Sequence, residues 1–400
     1  RTDFATTLVL EAGAGTGKTT VLVERLVNLV VSGTATLDRV VAITFTEPAA
    51  GELKMRLRDA LEARLDTASA DEAERLSQAI VDLERANVST IHAFASALLR
   101  ERPFEAGIDP SFAVVAEVAG ERTFDDAWNR WIEERLTAGD EVLMRAVHLG
   151  LQIPDFQKAA RAVVAQRDVL GLPVARLPFD PAALLTELEA AIGPLTAHKA
   201  SCINESDAAF QMIESLDARI REARRLTGTA LEVFLRRLKI TAHKGSQANW
   251  TPKSACVDVK AELKRLKLAA EAWVAQSDAD INQALRERLL GFLERYEARK
   301  AEGALADFQD LLLRARDVLA ASVPVRRYFQ ARFDRILVDE FQDTDPLQAE
   351  LMAWLAEDPS APPATDWRQV QLLPGKLFTS ATPSSRSSGS GGPTSRSTRP

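Results

Sequence analysis

A run of small and polar residues near the start of the chain has the composition needed to bind phosphate. It reads Ala-Gly-Ala-Gly-Thr-Gly-Lys-Thr-Thr from Ala12 to Thr20. Glycine lets the backbone curl so that its N–H groups face an anion, and the N-terminus of a following helix adds partial positive charge. The Lys18 ammonium can reach the β- and γ-phosphates of a nucleotide, and the Thr19 hydroxyl can bind Mg²⁺. Gly-Lys-Thr between a strand and a helix favours this interpretation over a turn that binds nothing.

A pair of carboxylates far along the chain supplies the complementary half of such a site. Asp339 and Glu340 directly follow Arg335–Val338, which has the pattern of a buried strand. Carboxylates at the end of a buried strand are costly unless they meet a cation. We expect Asp339 to hold Mg²⁺ through its water shell and Glu340 to orient or deprotonate the attacking water. The predicted catalytic residues and magnesium ligands are therefore Lys18 with Glu340, and Thr19 with Asp339.

The elements that position these residues have the pattern of an α/β fold with a parallel sheet. Leu8–Leu10 and Val40–Ile43 are short apolar runs that predict buried strands, and each precedes a helical pattern. Thr46 and Thr90 follow strand patterns in the same way. The carboxyl ends of parallel strands share one edge, where open sheets bind ligands. We therefore expect both threonines to lie on the edge that carries the phosphate-binding lysine and the carboxylates.

The middle of the chain, residues 105–299, has mainly helical patterns rich in Ala, Leu, Glu and Arg. Within it, the stretch from Arg221 to Lys267 is locally basic and contains Trp250 in a predicted loop. Basic side chains around an exposed aromatic ring can hold a nucleic-acid strand. A solvated helical face explains the same charges at least as well. A further helix is expected over 303–319.

The composition is typical of a globular protein. The chain has 400 residues, 46% of them hydrophobic and 27% charged, and a net charge of −7. This acidic balance argues against a generally basic nucleic-acid coat but not against a local basic groove. Cys202 and Cys256 are too few for a disulfide framework.

Because no apolar run is long enough for a bilayer and no signal peptide is visible, we expect a cytoplasmic protein without a membrane partner. The chain starts almost on the first strand, so a shortened N-terminus is also expected.

In this order, the motifs resemble the N-terminal part of superfamily 1 DNA helicases of the UvrD/Rep type, and most of all their AddA/RecB-like helicase–nuclease branch. Ala12–Thr19 resembles the phosphate loop of that family, which commonly has alanine at its first position. Asp339–Thr344 matches the acidic motif residue for residue, as Asp-Glu-Phe-Gln-Asp-Thr. Thr44–Ala50 and Thr90–Phe94 resemble two motifs that contact single-stranded DNA.

The resemblance implies ATP-driven 3′-to-5′ translocation on single-stranded DNA and unwinding of tailed duplexes, in DNA repair or recombination. It implies ATP and Mg²⁺ as cofactors and a helicase–nuclease partner subunit. The implied ATP-binding residues are Ala12, Gly13, Ala14, Gly15, Thr16, Gly17, Lys18, Thr19, Thr20 and Gln342. The implied DNA-binding residues are Phe45, Thr46, Thr90, His92 and Phe94. Phe45 and Phe94 could stack on bases, although Phe45 alone is equally typical of a core aromatic and His92 of a polar helix start.

The resemblance also predicts the domain organisation. A RecA-like ATP-binding domain in two parts, its helical insertion 1B and a tail are expected at 1–104 with 300–378, 105–299 and 379–400. The chain departs from the family in three places. Glu47-Pro48 replaces a pair that is Asn-Lys in many members, so one basic DNA contact is lost. Gln309 stands where aspartate is usual, and the adenine-recognising glutamine expected ahead of the phosphate loop is not in the chain.

The composition changes abruptly after Phe378, because residues 379–400 are Ser, Thr, Gly, Pro and Arg with a single alanine. A disordered linker explains this composition. A shift of one base after the Phe378 codon explains it better. Codons for Thr379–Arg399 can be chosen that encode VGDPKQSIFRFRRADVALYE in the neighbouring frame, and that string resembles the third motif of the family and its following helix. On this hypothesis the chain lacks the γ-phosphate-sensing glutamine and the second RecA-like domain.

Without those parts we expect a truncated, inactive form that binds Mg–ATP and DNA weakly and does not unwind. Two rival classes are open. A different P-loop enzyme, such as a kinase or an ABC-type ATPase, would need a substrate pocket or a signature loop, and the acidic motif argues against both. The second rival is an ATP- and DNA-binding module without turnover. DNA-stimulated phosphate release distinguishes a helicase from both.

Overall fold

The computed structural model describes residues 2–13, 17–115, 117–168 and 179–382. These residues form two compact units. Unit 1 contains the described residues of Arg1–Gly120 and Lys300–Pro400, and unit 2 contains those of Glu121–Arg299. Every strand of the described ranges lies in unit 1, which therefore carries the sheet.

The strands belong to two parallel sheets. Their bounds are β1 Leu8–Glu11, β2 Val40–Thr44, β3 Asn87–Thr90, β4 Ala113–Val114, β5 Leu305–Ala306, β6 Arg335–Val338 and β7 Leu377–Ala381. The large sheet has the order β1-β7-β6-β2-β3, and all its neighbouring strands are parallel. The small sheet pairs β4 with β5. Parallel pairing brings the carboxyl ends of the five strands of the large sheet to one edge.

The helices of the described ranges fall between and around these strands. In chain order they are α1 Lys18–Val31, α2 Glu47–Leu65, α3 Ala70–Asp82, α4 Ile91–Glu101, α5 Glu117–Thr137, α6 Glu141–His148, α7 Ile153–Ala165, α8 Ala183–Ala197, α9 Ala208–Ala223, α10 Gly228–Arg236, α11 Lys253–Glu302, α12 Phe308–Ala321, α13 Val323–Arg332 and α14 Pro346–Ala356. None of them is both long and apolar enough to cross a membrane.

Alternate residues of the central strands point into two different cores. Val41 and Ile43 of β2 pack in the core that α4, α12, α13 and α14 share, whereas Val40 and Ala42 pack in the core of α1, α2 and α3. All residues of β2 are buried, as expected for a parallel strand covered on both faces. Unit 1 is thus a three-layer α/β domain, and the predicted fold class is confirmed.

Unit 2 is helical, and two apolar clusters hold it together. In one of them Trp128 and Trp131 lie on the same face of α5 and contact the ring of Phe292, with centroids 5.3 and 5.5 Å away. The other cluster joins α8, α9, α10 and part of α11. The mainly helical insertion expected in the middle of the chain is therefore present.

The basic stretch of unit 2 does not surround an exposed aromatic ring. Trp250 is buried in a core of this unit. Basic side chains of the stretch pair with carboxylates: Arg224 with Glu189 at 2.7 Å and Arg265 with Glu262 at 2.8 Å. The hypothesis of a nucleic-acid groove around Trp250 is wrong, because burial removes the ring from solvent. An ion-paired, solvated helical face accounts for the charges.

The helix expected over 303–319 begins later, at Phe308. Leu305–Ala306 is extended and pairs with β4 instead. Asp307 occupies the N-cap of α12, where its carboxylate accepts the backbone N–H of Asp310 at 2.8 Å. An aspartate in this position satisfies an otherwise unpaired N–H and so marks the first turn of the helix.

The C-terminal segment rich in Ser, Thr, Gly, Pro and Arg begins within β7 of the large sheet. Thr379–Ala381 form the second half of β7, between β1 and β6, so the expectation of a disordered segment from 379 onward is wrong for these residues. Their place between two strands explains why they are extended, since both edges of β7 are hydrogen-bonded. Residues 383–400 lie outside the described ranges, and the base-shift hypothesis stays a prediction.

The side chain of Thr379 in β7 is buried without a hydrogen bond for its hydroxyl within the described residues. Its side chain is 3% exposed, and its Oγ1 has no hydrogen-bond partner within the described residues. A buried hydroxyl without a partner costs about 1–3 kcal/mol. We expect Thr379→Val, which keeps the shape, to raise the free energy of unfolding in urea by about 1 kcal/mol.

Thr44 is the matched control for this substitution. It is also 3% exposed, but its hydroxyl donates to the carbonyl oxygen of Thr46 at 3.1 Å. Thr44→Val should therefore lower the free energy of unfolding by about 1 kcal/mol. Equal losses from both substitutions would contradict the prediction for Thr379.

Candidate functional site

The carboxyl edge of the large sheet collects polar residues from four strands. β1 leads to Lys18 at the start of α1, and β6 leads to Asp339 and Glu340. β2 leads to Thr46 and β3 ends at Thr90. Parallel register brings these strand ends together, so residues distant in the chain share one edge.

Lys18 is the first residue of α1 and follows a turn that requires glycine. Gly17 is the N-cap of the helix with φ at +88°, in the left-handed region where a side chain would be strained. The buried Lys18 Nζ donates to Oε2 of Glu340 at 2.8 Å and to the hydroxyl of Thr382. Its ammonium thus lies at the positive end of a helix, where an anion is favoured.

Glu340 has an unusual backbone conformation for a residue with a side chain. Its φ and ψ are 52° and 46°, in the left-handed region, and such strain is often kept where it serves function. Oε2 accepts the side-chain amide of Gln342 at 2.6 Å as well as the lysine. The hydrogen bond from Lys18 holds the pKa of the Glu340 carboxyl below its usual range. The carboxylate is therefore ionised at neutral pH, as a proton acceptor must be.

Asp339 is fixed by backbone contacts at the end of β6. Its N–H donates to the carbonyl of Ile43 at 2.9 Å, and its Oδ1 accepts the N–H of Glu340 at 3.1 Å. The same oxygen accepts the hydroxyl of Ser380 from the neighbouring β7. One carboxylate oxygen is therefore oriented by hydrogen bonds, which leaves Oδ2 as the atom to face a cation.

The protein oxygen atoms at this edge are too few to bind Mg²⁺ alone, and the phosphates of a bound nucleotide would have to complete its coordination. Within the described residues, no group of three or more His, Cys, Asp or Glu side chains could hold a metal by itself. Mg²⁺ typically takes one or two protein oxygens and completes its shell with phosphate oxygens and water. Asp339 and the half-buried Thr19 of α1 supply oxygen atoms of the required kind. These residues thus fit a magnesium ion that arrives with a nucleotide.

The remaining predicted nucleotide residues are placed as follows. Ala12 extends the pairing of β1 with β7, since its N–H donates to the carbonyl of Ala381 at 3.0 Å. Gln342 lies beside Glu340, and its Oε1 accepts the N–H of Thr382 at 2.7 Å. Gly13 and Thr20 are exposed. Ala14, Gly15 and Thr16 lie outside the described residues.

Thr46 and Thr90 both cap helices at this edge. The Thr46 Oγ1 accepts the N–H of Ala49 at 3.2 Å, and the Thr90 Oγ1 accepts the N–H of Ala93 at 3.3 Å. Thr90 differs in also donating its hydroxyl proton to Oε1 of Glu47 at 2.7 Å. A threonine has a single proton to donate. The Thr90 hydroxyl proton is therefore used in a hydrogen bond within the protein.

Aromatic rings are exposed near these caps. Phe45 follows β2 and is 63% exposed, so it is not the core aromatic that was the alternative interpretation. The ring of His92, in the first turn of α4, contacts the ring of Phe308 edge-to-face with centroids 5.2 Å apart. Phe308 is 51% exposed at the first position of α12. Sequence reasoning missed Phe308 as a surface residue, although its place between two capping aspartates was the available signal.

Phe94 is not available to stack on a base. Its side chain is buried among the residues of a core, and its ring lies 5.5 Å from that of Phe333. The expectation that Phe94 stacks on DNA is therefore wrong. The physical reason is helical periodicity: Phe94 lies four residues after Thr90, on the face of α4 that turns towards the sheet, with Ala95 and Leu98.

Fold and site together define a RecA-type nucleotide-binding domain: a parallel sheet with a lysine after its first strand and an acidic pair after the strand two places away. A sequence profile of the UvrD/REP helicase N-terminal domain matches residues 1–364. The chain belongs to this family. The resemblance deduced from the sequence motifs is thereby confirmed.

Several curated relatives carry the name of one subunit of an ATP-dependent helicase/nuclease. The chain is 28% identical to the one from Pediococcus pentosaceus, and the match covers 87% of this chain and 32% of the relative. It is 27% identical to those from Bacillus pumilus and Enterococcus faecalis, over 86% and 87% of this chain and 32% of each relative. The chain thus spans about a third of the length of the curated relatives it matches.

The pH dependence of stability should reveal the environment of His92. Burial lowers the pKa of its imidazole, and Asp345 opposes this only in part. The folded protein therefore binds a proton here less readily than the unfolded chain does. Above the ordinary pKa of 6.5 the ring is neutral in both states, and the shift does not change the free energy of unfolding. As the pH drops below 6.5, the unfolded chain takes up the proton first, so the free energy of unfolding should fall until the folded protein is protonated as well.

The measurement is an NMR titration of the histidine rings, together with urea unfolding at several pH values. We expect His92 to titrate below 6.5. His92→Phe, which keeps an aromatic contact for Phe308, should make the free energy of unfolding less sensitive to pH in this window. A His92 that titrates at or above its ordinary value would contradict the prediction.

Proposed function

We propose that this chain is the nucleotide-binding motor part of an ATP-dependent DNA helicase or translocase that acts in DNA repair or recombination. The observation that carries the proposal is the ion pair of Lys18 with Glu340, on the same sheet edge as the exposed Phe45 and the capping threonines. A site for the chemistry and a surface for a strand are thus adjacent. The names of the relatives, which are about three times longer, support the same assignment.

In the proposed reaction, the Lys18 ammonium leaves Glu340 and binds the β- and γ-phosphates of ATP. Glu340 is then free to orient the attacking water and to accept its proton. Gln342, already hydrogen-bonded to Glu340, links this carboxylate to the end of β7. Thr19 and Asp339 would hold Mg²⁺, which neutralises charge on the phosphate oxygens when bound.

The proposed DNA path crosses the ends of β2 and β3. Phe45 and Phe308 offer exposed rings on which bases can stack, with His92 supporting the second ring. The Thr46 hydroxyl can donate to a phosphate oxygen. Thr90 does not donate to the strand in this proposal, because its hydroxyl donates to the Glu47 carboxylate. Exposed rings of this kind fit single-stranded DNA or the single-stranded tail of a duplex, whose bases are free to stack.

The names of the relatives also suggest how the protein is organised in the cell. A relative named as one subunit of a helicase/nuclease implies a second one, so we propose that a partner completes a helicase–nuclease. DNA and ATP share the cytoplasm of a bacterium, and we place the protein there. Repair is the proposed process, with recombination as its closest alternative.

A second candidate function is a module that binds ATP and DNA without turnover. The contacts at the end of β7 favour it: Ser380 donates to Asp339, and Thr382 accepts from Lys18. The Thr382 hydroxyl takes up a Lys18 donor that would otherwise face phosphate, and the Ser380 hydroxyl occupies one of the two carboxylate oxygens of Asp339. ATP would then bind, but the groups needed for hydrolysis would be less free.

The first experiment measures phosphate release from ATP by this chain, with and without oligo(dT). Release that DNA stimulates supports the helicase. Nucleotide binding without release supports the binding module, and neither binding nor release contradicts both. Glu340→Gln should bind ATP but lower phosphate release about 100-fold or more, because the proton acceptor is lost. Lys18→Ala should lose nucleotide binding itself, since it removes the phosphate-facing charge.

A second experiment tests the DNA path. Phe45→Ala should weaken the binding of oligo(dT) about tenfold, because a stacked base contributes about 1–3 kcal/mol. Phe104→Ala is the control: Phe104 is also exposed but follows the far end of α4, a helix about 16 Å long. Fluorescence anisotropy of a labelled oligonucleotide gives both affinities. Equal effects of the two substitutions would argue against the proposed path.

A further inference from the structure

A buried ammonium lies at the start of α12. Lys300 is 2% exposed, and its Nζ donates to both carboxylate oxygens of Asp310, at 2.7 and 2.6 Å, and to Oδ2 of Asp307 at 3.0 Å. All three residues belong to unit 1. Buried charges of this kind are stable only when they are paired.

The two aspartates also form the cap of α12. Oδ1 of Asp307 accepts the N–H of Asp310 at 2.8 Å, and Oδ2 of Asp310 accepts the N–H of Asp307 at 2.8 Å. This reciprocal arrangement is a capping box, but with two aspartates that repel each other. Lys300 lies between the two carboxylates and neutralises part of their charge. The lysine therefore helps to keep both carboxylates in the cap.

The first turn that this cluster fixes carries an exposed ring. Phe308 lies between the two aspartates in the chain, at the first position of α12, and its ring contacts His92. We infer that Lys300 is a positioning residue for single-stranded DNA: it holds the first turn of α12 so that Phe308 faces a base, and it shields the strand from two carboxylates. This inference rests on the proposed DNA path.

The positive charge of Lys300 should favour DNA binding. Without the lysine, Asp307 and Asp310 would place negative charge that the ammonium no longer balances beside Phe308, where a polyanion would pass. Loss of Lys300 should then weaken DNA binding by displacing the ring and by repelling the phosphates. Lys300→Arg keeps the charge and can bridge two carboxylates. It should therefore retain most of the affinity.

The test is a double-mutant cycle on the full chain with oligo(dT) as the probe. Lys300→Met and Phe308→Ala should each weaken binding about tenfold, and Lys300→Arg should stay within about threefold. In the Phe308→Ala background, Lys300→Met should add less than about threefold, because displacement of the ring no longer matters and only the salt-screened repulsion of the phosphates remains. Affinity for a fluorescent ATP analogue should change less than about threefold throughout, because the Lys18–Glu340 pair is untouched.

Each contrary outcome has a definite meaning. If Phe308→Ala leaves DNA binding unchanged, the proposed path is wrong. If Phe308→Ala weakens binding but Lys300→Met does not, or if the two losses multiply, the role of Lys300 is wrong and the path stands. A fall in ATP-analogue binding with Lys300→Met would indicate a merely structural role. Should Lys300→Met not fold, Lys300→Met with Asp310→Asn keeps the net charge of the cluster, so a loss of DNA affinity then reports the position of Phe308 alone. An unchanged affinity of this variant would show that the role of Lys300 is wrong.

Discussion

The ion pair between Lys18 and Glu340 joins residues 322 positions apart in the chain, and unit 1 is arranged so that it can form. The buried Lys18 ammonium needs a charged partner, and Glu340 supplies it from a left-handed backbone position. The strands that lead to them, β1 and β6, are not neighbours. β7 lies between them and is parallel to both, so it sets their spacing and supplies the hydroxyls of Ser380 and Thr382. The proposed nucleotide site therefore depends on three strands from distant parts of the chain.

Helix caps lie beside aromatic residues that unit 1 leaves exposed or half-buried. Thr46, Thr90 and Asp307 each accept a backbone N–H at the start of a helix, and each lies next to an exposed or half-buried ring. A cap fixes the direction in which the chain leaves the strand. The aromatic residue beside it is then held at the surface without a core of its own. In this way the same polar side chains stabilise helices and hold rings at the surface along the proposed DNA path.

Buried polar groups in unit 1 differ in the number of hydrogen bonds that they form. The Lys300 ammonium has three short contacts with carboxylate oxygens, whereas Oγ1 of Thr379 has no partner within the described residues. The first group holds the start of α12 in one geometry. The second is a buried hydroxyl that adds no hydrogen bond to β7 within the described residues.

The sequence by itself determined the fold class, the family and the local patterns of the nucleotide site. These depend on short segments: a glycine-rich turn before Lys18, apolar strands, and Asp339 with Glu340 after one of them. Tertiary structure alone decided which aromatic rings face solvent. Phe94 and Trp250 are buried and Phe308 is exposed because their neighbours, such as Phe333 for Phe94, come from remote parts of the chain. Helical periodicity can assign Phe94 to one face of α4, but which face is covered depends on packing between segments, and only the tertiary structure decided this.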